Sequence, residues 1–110
     1  MKRVLVIDDD ILMGRLIEHH LSQIDMEVIK AKTGHEGITL VRTRQPDIVI
    51  LDVVLPDIDG WQVLQRVRQI SRVPILMLTI KEAEEDIVRA LNSGADDYCS
   101  KPVGMKGLST

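Results

Sequence analysis

The chain has 110 residues, a length that suits one domain with a single hydrophobic core. It is 45% hydrophobic and 28% charged, with a net charge of -3, so the bulk charge does not indicate direct binding to nucleic acid. No apolar stretch approaches the roughly 20 residues that span a bilayer, and acidic residues directly after the first apolar run do not fit a signal peptide. The single cysteine, Cys99, allows no intrachain disulfide. We therefore expect a cytoplasmic protein without a membrane segment.

Five short apolar runs alternate with helical patterns along the chain. The runs are residues 4–7, 26–29, 48–51, 75–78 and a weaker one at 98–99. The helical patterns lie at about residues 10–23, 33–44, 59–70 and 87–94. Strands that are continuously apolar and alternate with helices are typical of a parallel sheet whose two faces are both covered by helices.

Residues that accept hydrogen bonds from backbone N–H groups predict where the helices begin. Thr33 and Glu36 form a capping box for the second helix, and Asp59 can cap the third. Asp10 is expected to cap the first helix, and Asp57 is expected to be a turn or cap residue, not a ligand. The predicted inner faces carry Leu12, Leu16, Leu21 and Ile24 in the first helix, and Val63, Leu64, Val67 and Ile70 in the third.

Polar residues follow the strands of the predicted sheet. Asp8 and Asp9 follow the first run, Asp52 ends the third, Thr79 ends the fourth and Lys101 follows the fifth. Right-handed crossovers bring the carboxyl ends of parallel strands to one edge, so these side chains should converge. Clustered carboxylates repel one another unless a cation lies among them, and oxygen ligands favour Mg²⁺. A carboxylate there can attack phosphorus, with an ammonium and a hydroxyl contacting the phosphoryl oxygens, so the sequence predicts a phosphoacceptor site.

Four motifs carry a resemblance to one family. They are VIDDD (residues 6–10), LDVVLPDIDG (51–60), PILMLT (74–79) and GADDYCSKP (94–102). Together they resemble the receiver domain of a two-component response regulator, and GADDY with KP is most similar to receivers of winged-helix (OmpR/PhoB-type) transcription factors. The resemblance implies that residues 1–110 form one receiver domain of the α/β class. Its fold would be a flavodoxin-like, doubly wound sheet of five parallel strands in the order 2-1-3-4-5, with helices on both faces.

The same resemblance implies roles for the residues at the sheet edge. Asp52 would be the phosphoacceptor, assisted by Thr79 and Lys101. Thr79 and Tyr98 would form the switch pair. The implied ligands of Mg²⁺ are Asp8, Asp9, Asp52 and the backbone carbonyl of Val54.

The implied function is a signalling switch controlled by phosphorylation. A histidine kinase would donate the phosphoryl group from a phosphohistidine, and the domain would assist this transfer without being a conventional turnover enzyme. Phosphorylation would shift a pre-existing equilibrium between two conformations. The expected output is transcription, with DNA contacted only through an effector domain that this sequence does not contain.

Several positions depart from the family pattern. Ile80 stands where a small residue is usual, and Val103 stands where phenylalanine is usual. Segment 103–110, VGMKGLST, holds two glycines, so the fifth helix is expected to be short or missing and the domain to be C-terminally truncated. One sheet face would then be partly bare, which favours self-association, for example as a homodimer. The side chains expected to meet water there are Val4, Val6, Val49 or Leu76.

Three other functions compete with the switch. A phosphohydrolase of the haloacid dehalogenase type also uses an aspartate nucleophile, but it needs a second acid where this chain has Val54. A flavin-binding, flavodoxin-like module needs a phosphate loop after the first strand, where Asp8 and Asp9 would repel phosphate. A degenerate receiver that acts only as a scaffold does not fit the intact set of site residues. We also expect a cis peptide bond at Lys101–Pro102 and a partly covered Trp61 at the start of the third helix.

Overall fold

The computed structural model describes residues 2–79 and 97–100. It shows strands β1 (Lys2–Ile7), β2 (Met26–Ala31), β3 (Ile48–Asp52), β4 (Ile75–Thr79) and β5 (Asp97–Ser100), and helices α1 (Ile11–Ser22), α2 (Gly34–Arg44) and α3 (Gly60–Ile70). The five predicted strands and the first three predicted helices are confirmed. None of these three helices is long and apolar enough to cross a membrane. The predicted fourth helix, the fifth-helix segment and the Lys101–Pro102 bond lie outside the described residues.

The sheet has the expected topology. All its strand pairs are parallel, and the order is β2-β1-β3-β4-β5. Ile7 at the end of β1 lies beside Ala31 of β2 and Leu51 of β3. The strand order reverses at β1, because the chain goes outward to β2 and then returns to the other side for β3. A crevice therefore forms between the carboxyl ends of β1 and β3, where open α/β sheets bind their ligands.

Helices cover both faces of the sheet. Leu5 and Ile7 of β1 belong to one core cluster with Val41 of α2 and Val67 of α3, so these two helices share a face. The residues that alternate with them point the other way. Val6 on that side lines a cleft together with Gly14 of α1. The doubly wound arrangement predicted from the apolar runs is therefore present.

The core between the sheet and helices α2 and α3 is closed to water. Its largest fully buried side chains are Leu5, Ile7, Leu51, Leu64, Ile75 and Met77. Burying each such side chain contributes roughly 1.5–3 kcal/mol to the free energy of folding. Trp61, which was expected to be only partly covered, is 6% exposed and belongs to this cluster. The expectation was wrong because the first turn of α3 lies directly against the end of β3, where the Gly60 N–H donates to the Val53 carbonyl at 2.7 Å.

The inner faces of the helices were predicted with mixed success. In α3, Val63, Leu64 and Val67 are fully buried as predicted, whereas Ile70, the last helical residue, is 49% exposed. The prediction for α1 was wrong at its two ends. The exposed residues there are Leu12 at 60% and Ile24 at 64%.

The register of α1 explains this difference. Met13 is buried, and Ile17 and Leu21, one and two turns later, are half-buried. Their spacing of four residues places them on one stripe of the helix. Leu12 lies beside this stripe, and Ile24 follows the end of the helix. The helix therefore packs on the sheet through the stripe that contains Met13, and Leu12 lies outside this stripe.

The expectation of bare valines on the sheet is also wrong. Val4 and Val6 of β1, which lies between two neighbouring strands, are 1% exposed. Val49 is fully buried on the opposite face, within the core that α2 and α3 cover. Leu76 is half-buried.

Local hydrogen bonds begin each helix as predicted. The Asp10 carboxylate accepts from the backbone N–H groups of Leu12 and Met13 at 3.1 and 3.2 Å. The Thr33 hydroxyl accepts from the Glu36 N–H at 3.1 Å, and the Asp59 carboxylate caps α3. Each cap satisfies helix N–H groups that have no partner within the helix. The caps thereby define the points at which the chain leaves the carboxyl edge of the sheet.

Candidate functional site

Three carboxylates meet at the carboxyl edge of the sheet. Asp8 follows β1 directly, Asp9 comes next, and Asp52 is the last residue of β3. Because Ile7 and Leu51 are paired in register, the residues that follow them lie side by side. One carboxylate oxygen from each of the three aspartates lies within 4.8 Å of the other two. The structure therefore brings together the acidic residues that the sequence predicted to converge.

The cluster combines buried and accessible carboxylates. Asp8 and Asp52 are only 8% and 6% exposed, whereas Asp9 is exposed. The backbone holds the two buried groups: Asp8 Oδ1 accepts from the Asp10 N–H at 2.9 Å, and Asp52 Oδ1 accepts from the Val54 N–H at 3.3 Å. Negative charges this close favour a cation among them, and three oxygen donors suit a hard metal ion. The cluster could therefore bind a metal ion, and Asp9 leaves one side of it open to water.

Asp10 has a different role from its two neighbours. Its side chain is directed to the N–H groups of α1, as its capping distances show. The amino end of α1 carries a partial positive charge, which partly offsets the negative charge of the nearby carboxylates. A cleft of about 380 Å³ opens beside Asp8 and is bordered by Ile11 of α1 and by Lys30 and Lys32 of the β2 end. This cleft reaches Asp8, one member of the acidic cluster, from the side of α1.

Of the other predicted site residues, Val54 and the backbone of Thr79 lie at the same edge, and Tyr98 lies in β5. Val54 follows Asp52 by two residues in the loop to α3, and its side chain is 55% exposed. The backbone of Thr79 ends β4, one residue beyond Leu78, which pairs with Asp52. Tyr98 lies within β5, paired with Met77. Lys101 lies outside the described residues.

Asp57 makes contacts that the sequence did not reveal. Its carboxylate accepts from the backbone N–H of Gly34 at 2.8 Å and from that of His35 at 2.9 Å, and it lies 2.5 Å from His35 Nδ1. Burial of the carboxylate opposes its ionisation, but these donors and the Ile58 N–H outweigh burial and hold the pKa of Asp57 well below its usual range. Asp57 is therefore a cap, as expected, but for a helix that begins 23 residues earlier in the chain. No local pattern signals such a contact.

Curated relatives match almost the whole chain. It is 42% identical over 107 residues to the probable transcriptional regulator ycf27 of Cyanophora paradoxa, covering 97% of this chain and 45% of the relative. It is also 42% identical over 109 residues to the alkaline phosphatase synthesis transcriptional regulatory protein PhoP of Bacillus subtilis, covering 98% of this chain and 45% of the relative. The chain thus spans less than half the length of these two relatives.

The fold has matching solved structures as well. The BeF3-activated N-terminal receiver domain of Klebsiella pneumoniae RstA superposes with a TM-score of 0.88 at 29% sequence identity, covering 98% of this chain and 92% of that one. The family described as response regulator receiver domain matches residues 4–110. With the acidic cluster at the crevice of a 2-1-3-4-5 sheet, the chain belongs to the receiver domain family of two-component response regulators.

Proposed function

We propose that this receiver domain is switched by phosphorylation of Asp52, with a histidine kinase as the phosphoryl donor. The observation that supports this assignment is the position of Asp52, buried at the end of β3 and within 4.8 Å of the carboxylate oxygens of Asp8 and Asp9. A carboxylate buried in such an acidic group is costly to maintain unless it serves binding or chemistry. Family membership favours transfer of a phosphoryl group as that chemistry.

The proposed reaction is a displacement at phosphorus. An Asp52 carboxylate oxygen attacks the phosphoryl group of a phosphohistidine, a P–O bond forms, and the P–N bond breaks. The imidazole leaves with the bonding electron pair and is protonated. Bound Mg²⁺ would neutralise charge on the phosphoryl oxygens. The residues proposed to hold it are Asp8, Asp9, Asp52 and the backbone carbonyl of Val54.

Residues of the neighbouring strands complete the proposal. Lys101 would pair with a phosphoryl oxygen, and the Thr79 hydroxyl would donate a hydrogen bond to another. Phosphorylation would then shift an equilibrium between two conformations of the domain. Thr79 and Tyr98 would change position with this shift and so alter the surface of the domain. The domain is a phosphoacceptor that assists its own modification, and its product is the modified chain itself.

The proposed output is control of transcription. The two curated relatives described above are transcriptional regulators that are more than twice as long as this chain. The net charge of -3 gives the receiver itself no electrostatic attraction for DNA. We therefore infer that DNA binding would belong to a separate effector domain of the full-length protein.

The test is phosphorylation by a small phosphodonor. The purified protein is incubated with acetyl phosphate and MgCl2, and intact mass spectrometry is expected to show the addition of one phosphoryl group. Asp52→Asn should abolish this addition, because the amide is a poor nucleophile. Asp25→Asn is the matched control, since Asp25 has a φ of 59°, which asparagine also adopts. Equal modification of the Asp52→Asn variant at an aspartate would disprove the assignment.

A further inference from the structure

Besides the bond from the Val54 N–H to Asp52 Oδ1, two sets of hydrogen bonds hold the loop that joins β3 to α3, residues 53–59. At its base, the Gly60 N–H donates to the Val53 carbonyl at 2.7 Å and closes the loop on itself. In its middle, the Asp57 carboxylate accepts from the first two N–H groups of α2, those of Gly34 and His35. The first set is internal to the loop, whereas the second joins the loop to another element. Asp57 thus connects the loop to the start of α2.

The start of α2 lies unusually close to this loop. A Cβ atom on Gly34 would lie 2.6 Å from Ile58 Cγ1 and 2.7 Å from Val63 Cγ2, closer than side chains pack. The absence of a side chain at position 34 lets the two N–H groups reach Asp57 at normal hydrogen-bond lengths. The carboxylate is 24% exposed, so water competes only partly for its oxygens. The contact is therefore a packed junction between α2, the loop and α3.

We propose that Asp57 is a positioning residue for the phosphoryl-transfer site, which holds the β3–α3 loop where the Val54 carbonyl can serve as a metal ligand. This inference rests on the proposed function, because it concerns the same site. Asp57 follows Val54 by three residues, and its carboxylate bonds to the start of α2 and is not a member of the acidic cluster. Its effect passes through the backbone of residues 54–57.

The chemistry of Mg²⁺ makes such positioning consequential. Mg²⁺ requires near-ideal octahedral geometry, so a backbone ligand on a loosened loop binds it less well. Loss of a group that directly orients a metal ligand typically weakens metal binding by about 10- to 100-fold. Asp57 acts on the Val54 carbonyl indirectly, through the backbone of residues 54–57. We therefore expect Asp57→Ala to raise the dissociation constant for Mg²⁺ by a smaller factor, roughly three- to tenfold.

The measurement is calorimetric titration of the purified protein with MgCl2. Asp57→Asn should give an intermediate constant, because an amide keeps one acceptor oxygen but replaces the other with a donor. Thr33→Ala is the matched control, since it removes the cap within α2, where the hydroxyl accepts from the Glu36 N–H, and leaves Asp57 in place. This variant should lower the melting temperature while leaving the dissociation constant within twofold of the parent value.

A kinetic measurement separates positioning from a general loss of structure. The rate of phosphorylation by acetyl phosphate is measured as a function of MgCl2 concentration. For Asp57→Ala, the concentration that gives half the maximal rate should rise by the same factor as the dissociation constant. The maximal rate at saturating MgCl2 should stay within about twofold, because Asp52 itself is intact.

The partner of Asp57 provides a further check. His35→Ala removes the ring that lies against the carboxylate but keeps both backbone donors. It should weaken Mg²⁺ binding less than Asp57→Ala. Combined with Asp57→Ala it should add nothing more, because both substitutions act through one contact.

The outcomes are distinguishable. Unchanged Mg²⁺ binding in Asp57→Ala, with normal binding in the parent protein, would overturn the positioning role alone. Equal weakening in Thr33→Ala would overturn it too, because the effect would then come from the stability of α2. If the parent protein neither binds Mg²⁺ nor is phosphorylated, both the proposed function and the positioning role of Asp57 are wrong.

Discussion

At the scale of single residues, the carboxylates of the acidic cluster repel one another, and the same negative charges would attract a metal ion. Asp9 is the exposed member of a group whose oxygens lie within 4.8 Å of one another. Replacing one of three like charges at this distance relieves about 1 kcal/mol of repulsion when water screens the charge. We therefore predict that Asp9→Asn stabilises the metal-free protein by about 1 kcal/mol. The same change should weaken Mg²⁺ binding, since one anionic ligand is lost.

Denaturant unfolding with and without MgCl2 checks this prediction. Asp10→Asn is the control, because it makes the same charge change one residue away and asparagine is an equally good helix cap. That variant should retain Mg²⁺ binding. A metal-free Asp9→Asn protein that is less stable than the parent would show that repulsion does not dominate the energetics of the cluster.

At the scale of elements, the junction of β3 and α3 leaves no room for a side chain at position 60. A Cβ atom on Gly60 would lie 2.3 Å from the backbone oxygen of Asp52 and 2.6 Å from Val53 Cα. Backbone atoms cannot rotate away as side chains can, so Gly60→Ala must displace α3 or the end of β3. We predict a loss of about 3 kcal/mol of stability, the upper end for overpacked positions. The rate of phosphorylation should also fall, because Asp52 lies at the displaced junction.

Gly14 of α1 offers the matching control. A Cβ atom there would lie 3.4 Å from Lys30 Cδ, an ordinary contact with a flexible side chain. Gly14→Ala should therefore stabilise the protein by up to about 1 kcal/mol through higher helix propensity. Equal effects of the two substitutions in thermal and denaturant unfolding would contradict the close approach inferred at Gly60.

At the scale of the whole molecule, the proposed metal binding would be coupled to folding. The three carboxylates lie at the carboxyl ends of two strands, and Asp8 and Asp52 are 44 residues apart in the chain, so the group exists only in the folded sheet. A ligand that binds only the folded state adds stability by mass action. At ten times its measured dissociation constant, MgCl2 should raise the free energy of unfolding by about 1.4 kcal/mol. Asp9→Asn should lose most of this gain, and a gain equal to that of the parent would place the metal elsewhere.

Much of this molecule was determined by local sequence. The apolar runs predicted all five strands, because buried parallel strands need apolar side chains on both faces. The caps Asp10, Thr33 and Asp59 predicted three helix starts, because each cap bonds to residues two or three positions ahead. The meeting of Asp8, Asp9 and Asp52 was also predictable, since the handedness of the crossovers places all carboxyl ends of parallel strands at one edge.

Other features were decided only by tertiary packing. The buried stripe of α1 depends on how that helix is rotated against the sheet. The sequence pattern predicted that Leu12 is buried, but the neighbouring Met13 is buried and Leu12 is exposed. Trp61 is buried because α3 begins directly against β3, a distance that no sequence period encodes. The bond between Asp57 and the start of α2 joins residues 23 positions apart through two loops. Periodicity and capping involve residues within one or two turns of each other, whereas these three features depend on how separate elements approach in space.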